Sequence, residues 1–190
     1  MQLAHEMGAA FGVITDLVNT SRARARGADL LDDPTTIDRI SEQTVSYSPE
    51  HTGAEDVELR QLRHRLEEFL RNEDTQERIS LVNSLLLAAG SVPQLATHVA
   101  DETPHFHYTM EDASFSSKIT ALCAMGLARL LASQSEHRFR VCEGTDCEKV
   151  FIDVSKNASR RYCDSQTCGN RLHAARYRAR RGSQADTPAS

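Results

Sequence analysis

The chain has 190 residues, 39% of them hydrophobic and 26% charged, with a formal net charge of −5 and five cysteines. That length accommodates one domain of ordinary size and one small module that needs a staple to fold. The opening Met1-Gln2-Leu3-Ala4-His5-Glu6 has no basic leader, no unbroken apolar run and no small-residue cleavage site, so a cytoplasmic protein with reduced thiols and no membrane association is expected.

The first part of the chain reads as mainly α. Residues 5–19 are apolar enough for a core helix and close on Leu17-Val18-Asn19-Thr20. An Arg-bearing polar loop follows, then Asp33-Pro34, an N-cap with proline at the first helical position. Residues 46–53 form a loop. Leu59, Leu62, Leu66, Phe69 and Leu70 mark one face of an amphipathic helix, and Asp74-Thr75-Gln76-Glu77 resembles a capping box that starts the next, through Leu85-Leu86-Leu87 to Gly90. A long helix is expected over about residues 114–133. Within it Ile119, Leu122, Cys123, Leu127, Leu130 and Leu131 recur at helical spacing, which makes Cys123 a buried, inert thiol.

Before that helix a β-hairpin is expected, with Asp101-Glu102-Thr103-Pro104 as its loop. This register sends Leu95, Thr97, Val99, Phe106, Tyr108 and Met110 to one side, read as the buried side. His98, His105 and His107 take the other. Three imidazoles on one pleated face could hold a second metal, but alternation places them toward solvent, and that bland reading is preferred.

Beyond residue 136 the character changes. Met1 to Glu136 holds 11 Lys+Arg against 21 Asp+Glu, a balance of −10, whereas His137 to Gly182 holds 11 against 5, a balance of +6. An acidic body carrying a basic arm points to a polyanion as partner. Cys142, Cys147, Cys163 and Cys168 form two Cys-x4-Cys pairs. In a reducing compartment paired spacings of this kind favour metal over disulfides, and four thiolates suit one tetrahedral, structural Zn²⁺. Bound to four thiolates the ion is a unit of about −2, so the lobe stays positive.

Within this lobe Arg138-Phe139-Arg140-Val141 leads into the turn Cys142-Glu143-Gly144-Thr145-Asp146-Cys147, whose glycine and acidic residues suit a tight loop with backbone N–H groups aimed at sulfur. Lys149 to Val154 is a β-rich run, residues 155–159 turn the chain, and Arg160-Arg161-Tyr162-Cys163 returns to the metal. A helix from about 165 to 181 follows. The order of cysteine turn, hairpin and ligand-bearing helix is treble-clef-like. On the helix, His173, Arg176 and Arg180 form one stripe and Arg171, Arg178 and Arg181 another. Arginine forks suit phosphate oxygens and guanine edges, so Arg176, Arg178, Arg180 and Arg181 are the expected nucleic-acid contacts, flanked by Arg160 and Arg161. Gly169 and Asn170 read as structural, and Arg171 as a partner of Asp153 or of phosphate.

Cys142-x4-Cys147, Phe151-x-Asp153-x-Ser155, Ser159-Arg160-Arg161-Tyr162-Cys163 and Cys168-Gly169-Asn170-Arg171, followed by Tyr177-Arg178-x-Arg180, resemble the CGNR zinc finger family over about residues 138–181. Upstream, Leu17-Val18-Asn19-Thr20 and the helices after it resemble the ABATE domain that precedes this finger in bacterial proteins. The resemblance implies a stress-linked bacterial transcription regulator, with the four cysteines as zinc ligands, the finger on DNA and the larger domain receiving a small-molecule or protein signal. The expected division is 1–136 for the acidic helical domain, 137–182 for the finger and 183–190 for a disordered tail. The rival reading is a zinc-stabilised module that docks on an acidic protein or binds RNA. An enzyme is not expected: the sequence has no glycine-rich phosphate loop and no nucleophile elbow, and four thiolates leave no vacant metal position. A lone finger contacts few base pairs, so a homodimer is expected.

Overall fold

The computed structural model describes residues 2–43, 53–97 and 104–170. Helix α1 spans Gln2–Asn19, and Ala10, Phe11, Val13, Ile14, Leu17 and Val18 are all buried, the wide apolar stripe of a central helix. Its end is sealed by Thr20, whose hydroxyl donates to Leu17 O at 2.6 Å. A 3₁₀ turn at Leu30–Asp32 leads into α2, Pro34–Ser41. There Asp33 caps as expected, accepting from Thr35 N at 3.0 Å, with proline in the first turn.

Helix α3, Gly53–Arg71, buries the predicted stripe Leu59, Leu62, Leu66 and Phe69. Helix α4, Thr75–Ala88, starts on half of the expected capping box. Asp74 accepts from Glu77 N at 2.9 Å, but the Glu77 carboxylate turns back to Asn72 Nδ2 at 2.5 Å while Asn72 Oδ1 takes the Asp74 N–H at 2.8 Å. Helix α5, Phe115–Ala132, is capped by Ser114 and packs on α1, α3 and α4. By length and apolar composition alone α5 could cross a membrane. Here Phe115, Ile119, Cys123, Ala124, Leu127 and Leu130 are buried in the helical core. Gly126 sets the approach of α5 to α1: a Cβ there would lie 3.0 Å from Ile14 Cδ1 and 3.1 Å from Ala10 Cβ.

Strands β1, Gln94–Ala96, and β2, His105–His107, form the expected antiparallel hairpin, but in a different register. Ala96 pairs with His105 and Leu95 with Phe106, so the connection is longer than Asp101–Pro104. The parity survives, and Leu95 and Phe106 do share a face. The exposure is inverted: Leu95 is 65% and Phe106 61% exposed, while His105 and His107 are half-buried. Alternation identifies the apolar side of a ribbon without saying what covers it. His98 and Val99 lie outside the described residues, as do most of the 46–53 loop and the 183–190 tail.

A second hairpin pairs β3, Phe139–Val141, with β4, Val150–Ile152. This corrects the expected order, in which 149–154 folded against 160–163. The first cysteine pair is itself the hairpin turn, and the return strand is irregular. Every residue of β4 is buried. Val150 and Ile152 enter the main core with Phe139, which stacks on Phe69 at 6.4 Å between centroids, whereas Phe151 packs among Cys142, Cys168 and Tyr162. One hydrophobic core therefore runs across residue 136.

Candidate metal centre

The four predicted cysteines converge, with their Sγ atoms all within 4.8 Å of one another. Zn–S bonds of about 2.3 Å in a tetrahedron place sulfurs about 3.8 Å apart, and the Cys147–Cys163 and Cys163–Cys168 separations are 3.8 and 3.7 Å. The donor set and spacing fit one structural zinc. Among the described residues no other cluster of three or more His, Cys, Asp or Glu side chains has this convergence.

Each ligand arrives on a different local device. Cys142 directly follows β3, and its sulfur accepts from Gly144 N at 3.4 Å and Cys163 N at 3.3 Å. Burial raises the thiol, but these donors outweigh it and bring Cys142 below its ordinary range. Cys147 closes the turn through its N–H to Gly144 O at 3.1 Å. Gly144 lies close against the cluster: a Cβ there would be 3.2 Å from Cys168 Cβ and 3.3 Å from the sulfurs of Cys142 and Cys168, so a larger residue would make the cysteines give by a few tenths of an ångström. Cys168 sits in the π-helical turn Ser165–Gly169, held by Gly169 N to Asp164 O at 3.1 Å. Burial pushes Cys163 far above its usual range, and the crowding thiols Cys142, Cys168 and Cys147 push it further. Four thiolates this close need a cation between them, which is what a closed zinc site supplies.

The irregular return strand is braced by arginine and by one buried carboxylate. Arg138 Nη1 donates to Asp153 O at 2.8 Å and Ser155 O at 2.7 Å, and Arg140 Nη1 to Arg160 O at 2.8 Å. Asp153, fully buried, accepts from Ser155 N at 2.9 Å and Arg160 N at 2.7 Å. Burial alone would raise this carboxyl, yet its donors, Ser155 foremost, hold it below the usual range.

Of the predicted polyanion contacts, Arg160 and Arg161 are exposed on the finger. Arg160 lies over the Phe151 ring at 5.1 Å and donates through Nε to Tyr162 O at 2.8 Å and through Nη2 to Cys163 O. Arg161 Nε donates to Glu143 Oε2 at 2.7 Å. Arg171, Arg176, Arg178, Arg180 and Arg181 lie outside the described residues. On β2 the Nε2 atoms of His105 and His107 are 3.2 Å apart; His98, the third imidazole of that idea, is not described.

Sequence reasoning missed the joint between helices and finger. Asn19 Nδ2 donates to Val150 O at 3.0 Å while Asn19 Oδ1 accepts from Val150 N at 2.8 Å. The amide thus adds a one-residue strand to the outer edge of β4. Arg24 Nη1 donates to Glu148 O at 2.5 Å beside it. Asn19 belongs to the Leu17-Val18-Asn19-Thr20 run, so the signal lay in a polar residue ending an apolar helix. Next to this joint, a cleft of about 810 Å³ opens between the post-α1 loop and the cysteine cluster, lined by Asp16, Arg24, Arg39, Lys149 and Cys163 among others.

Two family models match the chain. The ABATE model, described as "Putative stress-induced transcription regulator", matches residues 12–134, and the CGNR zinc finger model matches residues 138–181. No curated protein matches it.

Proposed function

The chain belongs to the ABATE family and carries a CGNR zinc finger, and on that premise we propose that it is a cytoplasmic, bacterial, stress-linked transcription regulator that binds DNA through the finger. The observation that carries the reading is the sulfur cluster: four thiols within 4.8 Å of one another fix the chain at Cys168, immediately before the run that holds Arg171, Arg176, Arg178, Arg180 and Arg181. Zinc here has a structural role. A metal with four thiolate ligands keeps no position for water, so the reading assigns no catalysis to it. Arg176, Arg178, Arg180 and Arg181 meet phosphates and base edges, and Arg161 flanks them. Arg160, tied to two carbonyls beside the cysteines, is fixed in position there and flanks those arginines too. The larger domain receives the signal, and the Asn19–Val150 joint with the cleft beside it is where a ligand of that domain would be felt by the finger.

The test is a mobility-shift titration on genomic fragments that co-purify with the intact protein. Replacing Arg176, Arg178, Arg180 and Arg181 with alanine is expected to abolish the shift while leaving one zinc per chain and the thermal transition of the helical core unchanged. A quadruple variant that binds as tightly as the parent refutes the assignment.

A further inference from the structure

We propose that Cys147 and Cys163 are an oxidation site for a small, uncharged hydroperoxide, which reaches them through the cleft beside the Asn19–Val150 joint and links them in a disulfide that ejects the metal. The four thiols are not equally placed. Cys142 and Cys168 are only 6% and 9% exposed, whereas Cys147 and Cys163 are half-buried and both line the cleft. Their sulfurs also differ in what they accept. Cys142 Sγ takes the N–H groups of Gly144 and Cys163, and Cys147 Sγ takes that of Lys149. The polar neighbours of Cys163 Sγ are sulfurs alone, with Cys147 at 3.8 Å and Cys168 at 3.7 Å. Hydrogen bonds that favour a thiolate also make it a weaker nucleophile, so Cys163 is the attacking sulfur.

A peroxide is the one co-reactant the step needs. Cys163 Sγ attacks one oxygen of the O–O bond and becomes a sulfenic acid, while the other oxygen leaves as hydroxide. Cys147 Sγ then attacks the sulfenic sulfur, the S–S bond forms, and a second hydroxide leaves. Two thiolates have given up two electrons, and the peroxide, with two protons from solvent, has become two waters. The pair that is reached is also the pair that can close. Cys147 sits in a turn and Cys163 on the irregular return strand, whereas the Cys142 N–H is tied to Lys149 O at 2.8 Å and Cys168 lies within the π-helical turn. Charge selects the oxidant. As many carboxylates as cations line the cleft, and four thiolates on zinc add about −2, so an anionic oxidant is repelled and an uncharged one is not. The disulfide leaves two thiolates, too few for a closed site. Residues 160–170 then lose their anchor, while Phe139, Val150 and Ile152 keep the hairpin in the helical core. This site rests on the sulfur geometry and stands apart from the DNA reading.

Hydrogen peroxide added to the full-length, zinc-loaded protein tests it, with a chromogenic chelator reading zinc release and an untreated sample as the baseline. Release is expected to keep pace with disulfide formation. Peptide mapping after alkylation is expected to join Cys147 to Cys163 and to find Cys142 and Cys168 as free thiols. Cys123, sealed in the core of the helices at 0% exposure, is expected to resist alkylation until the protein is denatured, which rules out oxidation by way of general unfolding. Ala23 is an exposed residue on the cleft wall that holds no ligand role. Ala23→Trp, which narrows the entrance, is expected to slow both readouts roughly tenfold with zinc content and thermal transition as in the parent. If that variant folds poorly, the mapping of the parent decides alone. Zinc retained under peroxide, a bridge that takes in Cys142 or Cys168, or a well-folded Ala23→Trp protein oxidised as fast as the parent each overturns the proposal.

Discussion

At the scale of single residues, the end of α1 is organised by a carboxylate that the sequence did not single out. Asp29 accepts from Arg63 through both guanidinium nitrogens at 2.7 Å and lies 3.0 Å from Arg60 Nη1, while Arg63 also donates to Thr20 Oγ1 at 2.9 Å. The Arg63 hydrogen bonds, against burial, bring the Asp29 carboxyl from 3.8 down to about 2. With only 12% of the side chain exposed, the shift translates into about 2 kcal/mol of stability at neutral pH. The sign follows from the depressed value: the unfolded chain takes up the proton first, so the contribution is complete above about pH 5 and is lost as the pH falls toward 2. Asp29→Asn is therefore expected to lower the unfolding free energy by about 2 kcal/mol at pH 7, and by about half as much at pH 3. Urea melts of both proteins at the two pH values check this. An equal gap at both would show that the charge of Asp29 is not what matters.

Among the elements, the finger is two structures joined at β4. The side of the hairpin bearing Phe139, Val150 and Ile152 belongs to the helical core, whereas Phe151 faces the cysteines. Chelation should then divide the module. Amides of β3 and β4 are expected to keep their hydrogen-exchange protection without zinc, while 142–147 and 160–170 lose it. Loss of protection throughout 139–170 would mean that the metal alone holds the finger. The elements were unequally legible for the same reason. Helix stripes such as Leu59–Leu62–Leu66–Phe69 and caps such as Asp33 and Asp74 are written locally, and so are the paired cysteines. The partner of β4 is not, because Val150 could face either neighbour in the chain and only the packing of Phe139 on Phe69 selects β3. Nor does periodicity reveal that Asn19 meets Val150, 131 residues away.

For the whole molecule, charge separation is the property on which the proposed DNA binding depends, and among the described residues the arginines of the finger are all engaged. Arg138, Arg140 and Arg160 are engaged with backbone carbonyls, which fixes their positions without neutralising them. Arg161 alone of these is opposed by a carboxylate at hydrogen-bonding distance, Glu143, and 55% of its side chain is exposed. An ion pair so open to water is worth little, so a phosphate can replace Glu143 at small cost. If Arg160, Arg161, Arg176, Arg178, Arg180 and Arg181 all oppose phosphates, the logarithm of affinity falls against the logarithm of salt with a slope of about −5. Arg161→Gln, which leaves the cysteine loops and their braces in place, is expected to make that slope shallower by about 1 and to weaken binding alike on all sequences. Fluorescence anisotropy at several salt concentrations, with zinc content verified for both proteins, measures it. An unchanged slope would return Arg161 to Glu143 and confine the interface to the residues beyond Cys168.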